Sequence, residues 1–455
     1  LINLYDHQID QVQRLKDSLK SNRNVLMQLP TGGGKSVLAS YMIAASQAKG
    51  RKASFVVPRI DLITQMGNTF NDFGIRHSFV AQEMRLNPAA KTHICSLHTL
   101  VKRLDAINPD VVFLDEVHWG ADLIDRVIKD CREKNRFVVG LSATPAMQNN
   151  YGMGDWFDDM VQGQSIRWLI DNKFLSEYAL VQPSVKMPKG CLGGDPVDEW
   201  EKHAGGRLTI GFCRDKAHGY AMEALFNKYG IPAAFIESDT PKDTRRKLIS
   251  AFADGDIKII FNVYLCQMGF DLASQIGRKV NVRCMLDLQP TGSLTTQLQK
   301  NGRALRYDDG GHAVIIDLAG NSYHENHGLP CADREWVLDS GDVRKRDVEY
   351  RERTMSLITC KSCYKPSKIG STHCPYCNAR FVVDGKKIKE VDGRLVVVTP
   401  EMLKAEQQAE ERLAKTKRQE QGQARTLADL QRIAKERGYA AGWVHQMARV
   451  KGIKA

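Results

Sequence analysis

Leu29-Pro-Thr-Gly-Gly-Gly-Lys-Ser36 decides how the rest of this chain is read. Val25 to Met27, just before it, is a short apolar run of strand character, and the residues after Ser36 (VLASYMIAASQA) carry apolar side chains at helical spacing. Strand, glycine loop and helix in that order set a helix N-terminus against an anion. The amides of Thr31, Gly32, Gly33 and Gly34 can then point at phosphate oxygens. Lys35 supplies a point charge for the terminal phosphates and Ser36 a hydroxyl for Mg²⁺. The pattern is relaxed, because the first glycine of G-x-x-x-x-G-K-[ST] falls on Leu29.

A second stretch, Leu114-Asp-Glu-Val-His118, follows later in the chain. Val111 to Leu114 reads as a buried strand that delivers Asp115 toward the metal and Glu116 toward an attacking water. Taken singly, a glycine run before Lys-Ser is also compatible with a mobile turn, and an Asp-Glu pair with a solvated strand edge. In order, the two describe a site that binds and hydrolyses a nucleoside triphosphate.

A chain of 455 residues exceeds one ordinary core and predicts two large domains plus something smaller. Its formal charge of +12 and pI near 9.1 favour a polyanionic partner. No apolar run approaches the roughly 20 residues that cross a bilayer, and the first residues lack a signal-peptide core, so a soluble intracellular protein without a membrane partner is expected. Seven of the eleven cysteines (Cys95, Cys131, Cys191, Cys213, Cys266, Cys284 and Cys331) are scattered through strand-like or mixed segments, as suits reduced thiols acting as small hydrophobes.

Residues 1–165 alternate apolar runs with helical stretches. Val25 to Met27, Ala53 to Val57, His93 to Ser96, Val111 to Leu114 and Phe137 to Leu141 predict a parallel sheet covered on both faces. Pro183, Pro188, Pro196 and Gly193-Gly194 mark residues 155–206 as an irregular connection. A second strand set, Leu208 to Phe212, Ala233 to Ile236, Ile257 to Phe261, Val282 to Leu286 and Ala313 to Asp317, predicts another α/β domain over residues 166–330, without a phosphate loop. Residues 331–358 read as a linker. Within 359–399, Asp384-Gly385 and Asp392-Gly393 are turn signals beside Phe381-Val-Val383 and Leu395-Val-Val-Val398. Residues 400–455 read as a helical tail, with Thr426 and Asp429 opening one helix.

With the remaining motifs in place, the chain resembles a superfamily 2 helicase of the DExH type over residues 1 to about 320. Tyr5-Asp-His-Gln8 looks like the glutamine element that reads adenine in that family, which implies ATP as the nucleotide and Gln8 as its base contact. Val57-Pro-Arg-Ile-Asp-Leu-Ile-Thr-Gln65 and Ser96-Leu-His-Thr-Leu100 resemble two motifs that touch the nucleic-acid backbone, which implicates Arg59, Gln65, Ser96 and Thr99. Ser142-Ala-Thr-Pro145 matches the element that couples hydrolysis to strand binding; the resemblance implies coupling roles for Ser142, Thr144, His118 and Gln299. Thr240 and Asn262 fall where the family contacts the strand, and Gly269-Phe-Asp271 resembles the fifth motif, which implies nucleotide contacts for Gly269 and Asp271. Gln299-Lys-Asn-Gly-Arg303-Ala-Leu-Arg306 matches the sixth.

Phosphoryl transfer needs positive charge where negative charge develops, and arginines so placed contribute about 10³- to 10⁵-fold in nucleotide hydrolases. Arg303 and Arg306, three apart, are expected on one face of a helix in the second domain, across from Lys35 and Glu116 in the first. The site is then complete only when the two domains close.

Cys360-Lys-Ser-Cys363 and Cys374-Pro-Tyr-Cys377 are two C-x₂-C knuckles ten residues apart, a spacing that suits a tetrahedral Zn²⁺. The expected fold class is therefore α/β: two tandem RecA-like domains, parallel sheets flanked by helices, followed by a small zinc ribbon and a C-terminal helical segment. This combination resembles the RadD-like bacterial and phage-encoded DNA helicases. It implies an ATP-dependent DNA helicase or translocase acting on branched or forked DNA in repair, recombination or phage replication. Forked or single-stranded DNA is the expected partner, a monomer the expected state, and the cytoplasm of a bacterial cell or phage-infected host the expected location. A motor for RNA, or a duplex DNA translocase without strand separation, is the neighbouring reading. A zinc-dependent DNA-binding adaptor with a vestigial ATPase core is a further one, against which Lys35, Glu116 and Arg303 argue.

Overall fold

A computed structural model describes residues 2–82, 84–145, 152–184, 187–188, 191–263, 272–306, 311–323, 327–332, 334 and 336–338. In the C-terminal part it describes 357–359, 366–368, 389–390, 395–398, 420, 423–437, 444, 447–448 and 453. Two compact units result: residues 1–341 with 390–405, and residues 342–389 with 406–455.

In the first lobe of the larger unit, helix α1 (Asp6–Ser18) precedes β1 (Asn24–Gln28), and α2 (Lys35–Ala48) follows the glycine loop. The strands β2 (Ala53–Val57), β3 (Ser78–Val80), β4 (Thr92–Ser96), β5 (Val111–Asp115), β6 (Phe137–Ser142) and β7 (Asp159–Gln162) complete a seven-stranded sheet in the order β3-β4-β2-β5-β6-β1-β7. Every pairing in it is parallel. Helices α3 (Asp61–Asp72), α4 (Leu97–Ile107) and α5 (Ala121–Glu133) follow β2, β4 and β5. The sheet is buried on both faces: Val25, Met27, Phe55 and Val57 join one apolar cluster, Leu26 and Val56 the opposite one. That two-sided burial is why these strands are continuous apolar runs without polar alternation.

The second lobe begins directly after β7. Helix α6 (Ile166–Asp171) and β8 (Tyr178–Pro183) are followed by the short β9 (Cys191–Leu192) and α7 (Pro196–Ala204). The stretch 155–206, expected to be irregular, thus supplies a strand to each sheet and two helices. Asp195 and Pro196 open α7 as N-cap and first-turn proline, with Asp195 Oδ1 accepting from the amides of Val197 (2.8 Å) and Asp198 (3.0 Å). The proline starts an element there and does not end one.

Strands β10 (Thr209–Phe212), β11 (Ala233–Phe235), β12 (Ile259–Asn262), β13 (Cys284–Asp287) and β14 (Ala313–Asp317) alternate with α8 (Lys216–Lys228), α9 (Lys242–Asp254), α10 (Leu272–Ile276) and α11 (Leu294–Ala304). In the smaller unit β15 (Leu357–Thr359) and β16 (Pro366–Lys368) pair antiparallel. Beyond β17 (Lys389–Glu390), β18 (Leu395–Val398) returns to the second lobe and pairs antiparallel with β8, Leu395 opposite Pro183 and Val397 opposite Val181. The second sheet runs β11-β12-β10-β13-β14-β8-β18. Residues 395–398, expected in the cysteine module, instead cover what would be an exposed sheet edge.

A helix over Leu427–Arg437 is capped by Thr426, whose Oγ1 accepts from Asp429 N (3.1 Å) while Asp429 Oδ2 accepts from Thr426 N (3.0 Å). Leu430 and Ile433 bury with Val444 and Ala448. Among the described residues no helix is long and apolar enough to cross a membrane.

Candidate active site

The glycine loop bends at two positions that only glycine adopts readily, Gly32 at φ 86° and Gly34 at φ 88°. Gly34 is the N-cap of α2, so Lys35 and Ser36 open the helix beneath a ring of amides. Gln8 secures the loop from α1: its Oε1 accepts from Tyr5 N (3.1 Å) and its Nε2 donates to Gly33 O (3.5 Å).

β5 ends at Asp115, and Glu116 follows at φ 47°, a left-handed conformation that a long side chain seldom takes. The turn aims its carboxylate at Lys35, which pairs with Glu116 Oε1 and stands 3.9 Å from Asp115 Oδ1. Burial alone would depress the Lys35 ammonium, but Glu116 and Asp115 outweigh it and hold it above its ordinary value. Burial likewise opposes charge on Glu116, yet the Lys35 ammonium keeps its carboxyl low. Asp115 responds differently, since burial pushes it up to about 6 against the pull of Lys35.

His118 is the junction between lobes. Its Nε2 meets Gln299 Nε2 of α11 at 3.2 Å, and its Nδ1 lies 3.3 Å from Ser142 Oγ and 3.5 Å from Glu116 Oε2. For the Gln299 amide to donate, Nε2 must be the bare nitrogen and Nδ1 carry the proton, which requires a neutral ring. Burial supplies that condition, depressing the imidazole to about 4. Ser142 Oγ in turn donates to Thr144 O (2.7 Å) and accepts from Thr144 N (3.1 Å), so Ser142 and Thr144 sit in one chain of contacts with His118 and Glu116.

The second lobe closes onto this site with little room to spare. A Cβ built on Gly302 would lie 2.3 Å from Thr31 Cγ2, and one on Gly32 would lie 2.7 Å from Leu175 Cδ2. Gly302 is therefore a contact surface. Alanine in a helix interior ordinarily stabilises by about 1 kcal/mol relative to glycine; here Gly302→Ala is expected to push α11 off the loop, raising the KM for ATP and lowering kcat. Steady-state kinetics beside thermal unfolding checks this, an unchanged kcat and KM being the contrary result.

The cleft so formed has a volume of about 300 Å³ and is lined by Thr31, Gly32, Lys35, Ser36, Asp115, Glu116, Gln299, Arg303 and Arg306. Arg303 is buried, and its charge helps to depress Glu116. Arg306 also lines the cleft, but not from the same helical face: α11 ends at Ala304, and Arg306 is bridged through its backbone to Leu175. Hydroxyl and carboxylate oxygens of Ser36 and Asp115 beside the amide ring make a hard donor set that fits Mg²⁺ accompanying phosphate.

Beneath α11 lies a device that the sequence motifs did not disclose. Lys300, fully buried, donates to both oxygens of the equally buried Asp287 (2.7 Å each) and to Gln289 O (3.1 Å). Asn321 adds bonds to Asp287 Oδ2 (2.9 Å) and Gln289 O (2.8 Å). The helix carrying Gln299 and Arg303 is thereby pinned to the end of β13. The available signal is that β13 and β14, like β5, are apolar strands ending in Asp. Lys300→Met would leave a buried carboxylate unpaired and is expected to cost about 3–5 kcal/mol of stability, measured by urea unfolding. A loss below 1 kcal/mol would contradict this.

The expected strand contacts are less uniform. Arg59 follows β2 and borders a small pocket with His98. Gln65 instead lines the nucleotide cleft and accepts from Ser274 Oγ of the second lobe (3.5 Å), because α3 turns this position inward. Ser96, the N-cap of α4, donates to Thr99 Oγ1 (2.8 Å), and Thr240 Oγ1 accepts from Glu237 N (3.0 Å). Asn262, at the end of β12, is wholly buried and donates to Gly211 O (3.0 Å). Gly269 and Asp271 lie outside the described residues, as do Cys360, Cys363, Cys374 and Cys377. Among the described residues no cluster of His, Cys, Asp and Glu is placed to hold a metal ion.

Residues 1–147 match the family described as type III restriction enzyme, res subunit, and residues 196–308 match the helicase conserved C-terminal domain. A 51.5 kDa protein of a Lactococcus phage is 28% identical over 402 residues, spanning 83% of each chain. IRC3 of Saccharomyces cerevisiae, named among ATP-dependent helicases, is 24% identical over 77% of this chain and 55% of its own length. Among solved structures, the DUF1998 helicase MrfA bound to DNA and AMPPNP superposes with a TM-score of 0.51 at 17% identity, covering 70% of this chain and 48% of that one. That likeness concerns the fold: two parallel-sheet α/β lobes of the RecA-like helicase kind.

Proposed function

We propose, from the premise that this chain is a nucleic-acid-dependent ATPase carrying both domains of a superfamily 2 helicase core, that it is a DNA helicase or translocase acting on branched or forked DNA in repair, recombination or phage replication. The observation that carries the reading is the composite cleft, in which Arg303 of the second lobe faces Lys35 and Glu116 of the first. Both halves come from one chain, which supports a monomeric motor. The similar phage protein and the DNA bound by MrfA support DNA as the track and a bacterial or phage setting, and the RadD-like resemblance supports a genome-maintenance role.

Chemically, the chain's residues divide the work of ATP hydrolysis. Lys35, paired with Glu116, is drawn to the terminal phosphates when ATP competes for it, and the released carboxylate orients the attacking water. Ser36 and Asp115 would hold Mg²⁺, which supplies neutralisation of phosphate charge. Arg303, with Arg306 beside it, meets the charge that develops on the departing phosphates. Gln299, His118 and Ser142 connect that event to the loop of Thr144. The cysteine module, holding Zn²⁺ through Cys360, Cys363, Cys374 and Cys377, would choose among DNA structures, zinc supplying a structural cross-link.

ATPase stimulation by single-stranded DNA, forks, duplex and RNA tests the reading. Forks or single strands are expected to stimulate most; strongest stimulation by RNA would move the assignment to the neighbouring class. The module is better probed by Cys374→Ser with Cys377→Ser than by truncation before Cys360, which would also remove β18 from the second sheet. Bound zinc and fork preference are expected to fall together.

A further inference from the structure

We infer that the pocket bordered by Trp119 seats one unpaired nucleobase of the bound strand, next to the residue that orients the hydrolytic water. The inference rests on the nucleic-acid-dependent reading above and names where a strand meets that motor. The pocket, about 140 Å³, is lined by Pro58, Arg59, Leu97, His98, Trp119 and Gly120, with Glu116 at its inner wall. Its walls come from three loops. Pro58-Arg59 leaves β2, Leu97-His98 opens α4 after β4, and Trp119-Gly120 follows β5, and these strands are neighbours in the order β4-β2-β5. Nucleic acid crossing the C-terminal ends of the sheet would meet all three loops together.

Its chemistry favours a base over a bare phosphate or a peptide. An indole and an imidazole offer ring faces, Pro58 and Leu97 exclude water, and Arg59 adds a guanidinium to the lining. Aromatic faces beside a cation are the recurrent platform for single-stranded bases. His98 is exposed and Trp119 half-buried, so a base can reach both from solvent.

The link to hydrolysis is covalent and short. Trp119 N donates to Glu116 O (2.9 Å), which closes a turn from Glu116 through His118, and the His118 and Trp119 rings stand 6.3 Å apart. Glu116 itself holds a left-handed conformation in that turn. A base stacked on the indole therefore bears on the backbone that aims the Glu116 carboxylate.

The test uses the full chain with two strands of equal length, a thymidine homopolymer and its abasic counterpart, reading the concentration that half-maximally stimulates ATP turnover. The wild-type chain is expected to need about tenfold more abasic strand. Trp119→Ala should need similar amounts of both, Trp119→Phe should keep most of the preference, and His98→Ala, at an exposed position, should lose part of it. Equal response of the wild-type chain to the two strands would overturn the inference without any variant having to fold. So would a full preference retained by Trp119→Ala. Failure of every nucleic acid to stimulate turnover would instead strike the parent reading, and this one with it.

Discussion

Replacing Arg303 by alanine is expected to lower ATP turnover by about 10³- to 10⁵-fold while leaving nucleotide binding largely intact. The asymmetry follows from where the residue stands. Arg303 reaches the cleft from α11, whereas the amide ring, Lys35 and Ser36, proposed to hold the phosphates, belong to the first lobe. Its contribution is greatest as charge builds in the transition state, so kcat should fall far more than affinity. Arg303→Lys is expected to rescue little, because a compact ammonium cannot reproduce a planar fork of donors. Single-turnover hydrolysis beside binding of a fluorescent ATP analogue separates the two effects. A loss of less than tenfold would remove Arg303 from the chemical step, and with it the composite site.

Glu116→Gln and Lys35→Ala are each expected to reduce turnover by about 10²- to 10³-fold or more, with nucleic-acid binding still measurable. Their effects on nucleotide affinity should part company. In this structure Lys35 is paired with Glu116, so ATP must draw the ammonium away from a carboxylate before it can use it. Glu116→Gln removes that competitor and should leave ATP binding unchanged or tighter. Lys35→Ala removes the cation itself and should weaken it. Equal weakening by both would show that the ion pair does not compete with phosphate.

Much of this architecture is written in local sequence. The strands β1, β2, β4 and β5 are legible because a sheet buried on both faces needs continuous apolar runs, and the loop before Lys35 because φ near 90° needs glycine. Misreadings arose where one local signal serves two structures. Asp195-Pro196 can break a chain or open a helix, and only the packing of α7 against the second lobe selects the latter. Leu395 to Val398 carries the pattern of a hairpin strand, but its partner, β8, is supplied by a segment more than two hundred residues earlier.

What the sequence by itself determined is therefore the set of elements and the chemical groups at their ends: an amide ring with Lys35 and Ser36, a strand delivering Asp115 and Glu116, and a helix bearing Gln299 and Arg303. What only the tertiary structure decided is which of those groups meet. Gly302 against Thr31, Lys300 on Asp287, and His118 between Ser142 and Gln299 are contacts between distant segments. Periodicity and loop chemistry are properties of neighbours along the chain, whereas burial, pairing of charges and closure of a cleft depend on residues whose separation in sequence carries no record of their separation in space.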